Sequence, residues 1–186
     1  MATPKSQRIG IWVITIVLML GTLGSFIAMG LTMQNQKIDA AAQQKEQEKL
    51  LAEYQKSSEA LSGYSAQAFD ASSVKELKVE TLKEGTGDAI KATDSVKASY
   101  FGWTSDGNIF DSSKKKDAAD APSTFSLSSV IKGWTEGLTG VKVGSVVRLI
   151  IPSEKAYGSS GSGSLIPANS PLEFIVEVHS IEAAKS

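Results

Sequence analysis

Leu172-Glu-Phe-Ile-Val-Glu-Val-His179 sets Leu172, Phe174, Val176 and Val178 in alternation with Glu173, Ile175, Glu177 and His179, the period of a β-strand with one buried face. Upstream, Val146-Val-Arg-Leu-Ile-Ile151 is apolar throughout except for Arg148 and reads as a second strand. Ser95-Val-Lys-Ala-Ser-Tyr-Phe101 places Val96, Ala98 and Tyr100 on one face, and Lys78 to Thr81 reads as a strand that ends at Glu84-Gly-Thr-Gly87. Asp106-Gly107 marks a turn leading into Asn108-Ile-Phe-Asp-Ser-Ser113. Ser128 is placed to cap a short helix on which Val130, Ile131, Trp134 and Leu138 share a face, with Gly137 and Gly140 near its end. A mainly antiparallel sheet with one short helix packed on it follows, an α+β domain over residues 74–183. The run Lys114-Lys-Lys-Asp-Ala-Ala-Asp120 reads as solvated loop, and His179 as a solvent-facing residue of the last strand.

Working outward, composition excludes several chemistries. The chain has 186 residues, with 19 basic against 20 acidic, so it carries no electrostatic footprint for nucleic acid. It has no Cys, which rules out disulfides, iron–sulfur clusters, thiolate zinc sites and Cys nucleophiles. His179 is the single His, so two-His metal sites are excluded too. The 41% hydrophobic content is unevenly spread, because residues 9–33 form an uncharged, largely apolar stretch long enough to cross a bilayer. We read it as a single transmembrane helix. Lys5 and Arg8 in the tail 1–8 place that tail in the cytoplasm, and the remainder of the chain beyond the cell membrane, extracytoplasmic.

Residues 34–73 read as a polar linker or stalk. Good helix formers fill Ala40 to Gln55, while the apolar positions Ile38, Leu50, Leu51 and Tyr54 do not sustain a heptad. Ser57 to Ser73 is small and polar, a flexible joint from which Tyr64 and Phe69 can tuck against the following domain. Within that domain Tyr100, Phe110, Phe125, Trp134, Tyr157 and Phe174 fall on different elements. Spacing alone leaves two readings open, a shared core or an aromatic-lined pocket.

Resemblance chooses between them. Phe110-Asp-Ser-Ser113, Val130-Ile-Lys-Gly-Trp-Thr-Glu-Gly137, Val143-Gly144, Ala156-Tyr-Gly158, Ile166-Pro167 and Leu172-Glu-Phe174, in this order, resemble an FKBP-type peptidyl-prolyl cis-trans isomerase over about residues 75 to 182. The resemblance implies a bent five-stranded antiparallel sheet wrapped on one short helix, with a shallow apolar pocket between them. Carried over residue by residue, it implies catalytic roles for Tyr100, Asp111, the backbone N–H of Ile131 and the Tyr157 hydroxyl. It implies substrate binding by Phe110, Phe125, Val130, Trp134 as the floor, and Phe174, with Leu165 and Ile166 at the rim. Asp111 would orient the Tyr100 phenol and polarise the site without acting as a general base. No metal and no cofactor is implied. The implied partners are proline-containing unfolded or partly folded polypeptides, together with FK506- or rapamycin-like macrolides. The chain departs from the family pattern in having Tyr100-Phe101-Gly102 for the usual Tyr-Thr-Gly, Ser123 where some members carry an aromatic, and a Gly/Ser-rich loop, Gly158 to Ser164, expected to be mobile.

The implied chemistry needs no nucleophile. Rotation about an X–Pro bond passes through a twisted amide without resonance, over a barrier of about 18–20 kcal/mol. An apolar aromatic cavity favours that less polar amide, and preorganised donors to the substrate carbonyls add to the effect. A thousandfold acceleration takes only about 4 kcal/mol of differential stabilisation. The leading expectation is thus an isomerase for exported proteins as they fold. The alternatives are a catalytically weak prolyl-binding module or holdase chaperone tethered to the membrane, and a purely structural extracellular domain.

Overall fold

In chain order the strands are β1 (Lys78–Lys83), β2 (Ser95–Thr104), β3 (Ile109–Ser112), β4 (Ser123–Ser126), β5 (Val146–Ile151) and β6 (Leu172–Glu182), with the helix α1 (Lys132–Leu138) between β4 and β5. This computed structural model describes residues 42–50, 52–54 and 56–182. The expected membrane span, 9–33, and the tail before it lie outside the described residues, among which no helix is long and apolar enough to cross a membrane. The chain divides after Lys49 into two units. In the first, residues 42–49 are helical and solvent-exposed, as their Ala, Gln, Lys and Glu content favours. The second unit, from Leu50 onward, carries the sheet and α1.

All strand pairs are antiparallel, in the order β1-β5-β6-β2-β3, with β4 also paired to β2. Six strands therefore replace the expected five, for a simple geometric reason. Strand β2 is ten residues long, and its free edge is shared: β4 lies along Ser95–Ala98 and β3 along Phe101–Gly102 and Trp103. The loop 113–122 breaks that edge in two, so the sheet is still five strands wide.

One face of the sheet carries the main core. Val96 and Ala98 of β2, Val147, Leu149 and Ile151 of β5, and Leu172, Phe174, Val176 and Val178 of β6 meet Leu127, Trp134 and Leu138 there. The alternation read from the sequence thus points at α1. The helix begins later than expected and is not capped by Ser128, since the N-cap is Ile131, in extended conformation and without a side-chain cap bond. Ser128 instead belongs to the preceding turn, where its Oγ meets that of Ser126 at 2.8 Å and the Ser129 N–H bonds the Ser126 carbonyl. Thr135 Oγ1 ties the helix back to the carbonyl of Leu127. At the other end Gly140, with φ of 87°, takes the left-handed position that ends a helix.

The opposite face is covered as well. Phe101, Trp103, Val146 and Ile175 point away from α1 and pack with Leu61, flanked by Ala60, Tyr64, Ala66 and Phe69. The Trp103 Nε1–H donates to the Gln67 carbonyl at 2.9 Å, the Phe69 N–H to the Ser105 carbonyl at 2.9 Å and the Ser112 hydroxyl to the Glu59 carbonyl at 2.6 Å. Residues 58–69, read from the sequence within a stalk, are therefore a wall of the folded unit, and Tyr64 and Phe69 do tuck against it. A strand apolar on both faces requires cover on both. On this face also lies Glu173, buried, whose Oε2 accepts from both Arg148 Nε and Nη2, at 2.9 and 2.6 Å. Burial pushes its carboxyl upward, and the guanidinium opposes that shift.

The Lys-rich run is not simply solvated. Lys114 pairs with Glu59 at 3.6 Å, Lys115 approaches Asp111, and Asp120 accepts from the hydroxyls of Ser99 and Ser113. His179 is exposed, as expected, with Nε2 2.7 Å from the Ser99 hydroxyl. The Gly/Ser loop is closed at its neck by a two-way backbone bridge, Ser162 N–H to the Ile166 carbonyl at 2.8 Å and Ile166 N–H to the Ser162 carbonyl at 3.1 Å.

Candidate active site

Between α1 and the concave face of the sheet lies a cavity of about 440 Å³. Its depth follows from two glycines. A Cβ on Gly133 would come within 2.4 Å of Ile151, and one on Gly137 within 2.9 Å of Leu149, so α1 can lie directly on β5. That close approach drives Trp134 into the centre, where it is 4% exposed. Its indole meets Tyr100, Phe125 and Phe174 at centroid separations of 5.4, 5.2 and 5.4 Å, each in an edge arrangement. Phe110 stands edge-on to Phe174 at 5.5 Å. Such arrangements suit the ring quadrupoles and fix the walls. Gly102 makes room for two of them, because a Cβ there would meet Phe174 at 2.4 Å and Phe110 at 2.7 Å.

The cavity is lined by Tyr100, Phe110, Asp111, Phe125, Val130, Ile131, Trp134, Tyr157 and Phe174, together with Ser129. The structure therefore brings together all of the residues read from the sequence as the pocket proper. Leu165 and Ile166 lie apart, in a neighbouring cavity of about 260 Å³ reached past Phe110, Asp111 and Tyr157. That second cavity is also walled by Ser162, Gly163 and Ser164, so the tip of the Gly/Ser loop does face the site. It is walled by Tyr54 too.

The polar groups sit at the mouth. Asp111 Oδ2 accepts from the Tyr100 hydroxyl at 2.6 Å, and Oδ1 from the Tyr54 hydroxyl at 2.6 Å and the Ser112 N–H at 2.8 Å. A carboxylate so supplied with donors fixes the orientation of its neighbours. Burial, and then the bond to Asp111, push the Tyr100 phenol far above its usual range. The Tyr54 phenol is pushed up to about 12 by the same two causes. Tyr157 is raised by burial and by the charge of Asp111. All three phenols are thus protonated donors at neutral pH. Two donors remain uncommitted: among the described residues neither the Ile131 N–H nor the Tyr157 hydroxyl has a hydrogen-bond partner. An apolar well with two free donors on its lip is suited to an uncharged cyclic group flanked by carbonyls. Among the described residues no cluster of His, Cys, Asp or Glu is placed to hold a metal ion.

Residues 87–179 match the family model described as FKBP-type peptidyl-prolyl cis-trans isomerase. A crystal structure of a peptidyl-prolyl cis-trans isomerase from Pseudomonas syringae pv. tomato superimposes with a TM-score of 0.53 at 30% identity, over 76% of this chain and 95% of that one. The chain belongs to the FKBP-type peptidyl-prolyl cis-trans isomerase family. Among its relatives, the FKBP-type isomerase FkpA of Aeromonas hydrophila is 48% identical over 106 residues, 57% of this chain and 38% of the relative. The isomerase Mip of Coxiella burnetii is 38% identical over 106 residues, 57% of this chain and 45% of the relative. The chain thus spans about two fifths of the length of the first curated relatives it matches. The FKBP model covers the pocket and begins beyond β1, so the wall formed by residues 58–69 and the Tyr54 contact are outside it.

Three contributors to this FKBP pocket escaped the sequence reading. Ser129 belongs to the bend before the helix, which starts at Lys132 and not just after Ser128, and that later start is what brings it to the pocket wall. Gly102 was visible within Tyr-Phe-Gly, but its role needs the positions of two rings distant in sequence. Tyr54 carried only one signal, an isolated aromatic in a polar helical stretch.

Proposed function

We propose that this FKBP domain catalyses cis–trans isomerisation of X–Pro bonds in polypeptides. The observation that carries the reading is the aromatic well floored by Trp134 with two free donors, the Ile131 N–H and the Tyr157 hydroxyl, at its lip. The prolyl ring enters the well, and the flanking carbonyls lie against those donors. Twisting the amide removes its resonance and much of its polarity, so the apolar wall binds the twisted form better than the planar, solvated one. Asp111 holds Tyr100 in the wall and contributes a fixed negative charge near the twisting bond. No proton is transferred, which agrees with a site whose phenols all stay protonated. FK506- and rapamycin-like macrolides, which present a ring flanked by carbonyls, would compete for the same well.

The site belongs, in this proposal, to a membrane-anchored protein acting on exported chains as they fold. What supports this is sequence: the uncharged stretch 9–33 and the basic tail before it. A protease-coupled prolyl-peptide assay on the full chain in detergent tests the activity. Rates above background that fall at least tenfold with Tyr157→Phe combined with Asp111→Ala are expected. A folded chain that leaves the background rate unchanged would leave only peptide holding.

A further inference from the structure

Tyr54 lies 57 positions before Asp111 and outside the stretch that matches the family, yet its hydroxyl ends 2.6 Å from the Asp111 carboxylate. It is held there by several independent bonds. Residues 57–59 pair with residues 114–116, the Lys116 N–H donating to the Ser57 carbonyl at 2.6 Å and the Glu59 N–H to the Lys114 carbonyl at 3.1 Å. The hydroxyls of Ser57 and Ser58 both bond the Tyr54 carbonyl. Lys115 Nζ lies 3.6 Å from the centre of the Tyr54 ring, donates to Ser58 Oγ at 2.9 Å and sits 3.7 Å from Asp111 Oδ1. A cation on the ring face and an anion on the hydroxyl leave the phenol one orientation.

The consequence falls on Asp111. With Tyr100 on Oδ2 and Tyr54 on Oδ1, the two oxygens of one carboxylate are each clamped by a phenol, so the group cannot turn about its last bond. Docking of the segment does not need this bond, because Leu61 and its neighbours already bury it against the sheet, whereas Tyr54 stays 43% exposed. It lines the second cavity together with Leu165 and Ile166.

We propose that Tyr54 is a positioning residue of the prolyl site, fixing Asp111 through its hydroxyl and, with its ring, walling the cavity that receives the substrate side chain next to the proline. The proposal rests on the prolyl-isomerase reading. The segment before the family domain thereby completes the site and sets part of its selectivity.

The test compares Tyr54→Phe and Tyr54→Ala in the full chain, using prolyl peptides with Ala, Leu or Phe before the proline. Tyr54→Phe keeps the ring and loses the clamp, and should lower kcat about threefold to tenfold with KM little changed, without moving the urea midpoint. In an Asp111→Ala background the same change should have no further effect, as expected for a group acting through Asp111. Tyr54→Ala should add a rise in KM that is larger for Leu and Phe peptides than for Ala peptides. Parental kinetics in both variants, or the same loss with and without Asp111, would overturn the proposal. If the parent chain is folded but inactive, the isomerase reading fails separately, and calorimetric binding of the same peptides decides. Weaker binding of the Leu and Phe peptides by Tyr54→Ala sustains the role of the ring, and unchanged or absent binding overturns it.

Discussion

Gly102 shows how one residue shapes the pocket from behind. It is buried in β2 with an ordinary backbone, so the argument for glycine is space alone: both Phe110 and Phe174 lie where a Cβ would be. Gly102→Ala should push the two rings into the well. The expected cost is about 1–3 kcal/mol of stability, read from urea unfolding, with peptide affinity lowered about tenfold. Parental affinity in the variant would show that the rings do not limit the well. At this scale much of the site was legible, because Phe110-Asp111, Val130-Ile131, Trp134 and Tyr157 sit in short local motifs whose order survives in the chain. What was not legible depends on meetings between distant segments. Tyr54 needs the pairing of residues 57–59 with 114–116 to reach Asp111, and nothing in a polar, helix-forming stretch announces that pairing.

Among the elements, β2 is the one that the sequence under-described. Reading Val96, Ala98 and Tyr100 as its buried face was correct, and β5 runs over the same residues, Val146–Ile151, that its apolar run indicated. Phe101 and Trp103 point the other way and stack on each other at 5.1 Å, which was a sign that the second face is covered too. The polar composition of residues 57–73 concealed the cover, since only a few of its side chains, Leu61 above all, do the packing. A chain beginning at residue 75 should therefore be less stable than one beginning at residue 50. Loss of Leu61 and of parts of Tyr64 and Phe69 predicts a difference of roughly 3–5 kcal/mol, taking about 1.5–3 kcal/mol for each fully buried large side chain. Equal urea midpoints for the two chains would show that the segment only rests on the sheet.

For the whole molecule, the absence of Cys and the single His accord with the proposed reaction, which needs shape and dipoles and no nucleophile. The fold supplies both, with α1 laid close on β5 and the pocket mouth rimmed by loops from β3, β5 and the segment before β1. The proposed topology is a statement about the stretch 9–33, and it has its own test. In spheroplasts, external protease should degrade the domain while the tail 1–8 is protected; protection of the domain would reverse the orientation.

In the proposed function the Trp134 well speeds interconversion of a prolyl bond. This is tested most directly by exchange NMR on a prolyl tetrapeptide with a catalytic amount of the full chain in detergent. The cis and trans resonances should exchange in well under a second, against the tens to hundreds of seconds of the free peptide. The effect should disappear when a macrolide fills the well. Exchange at the uncatalysed rate, in the presence of folded protein that binds the peptide, would contradict it.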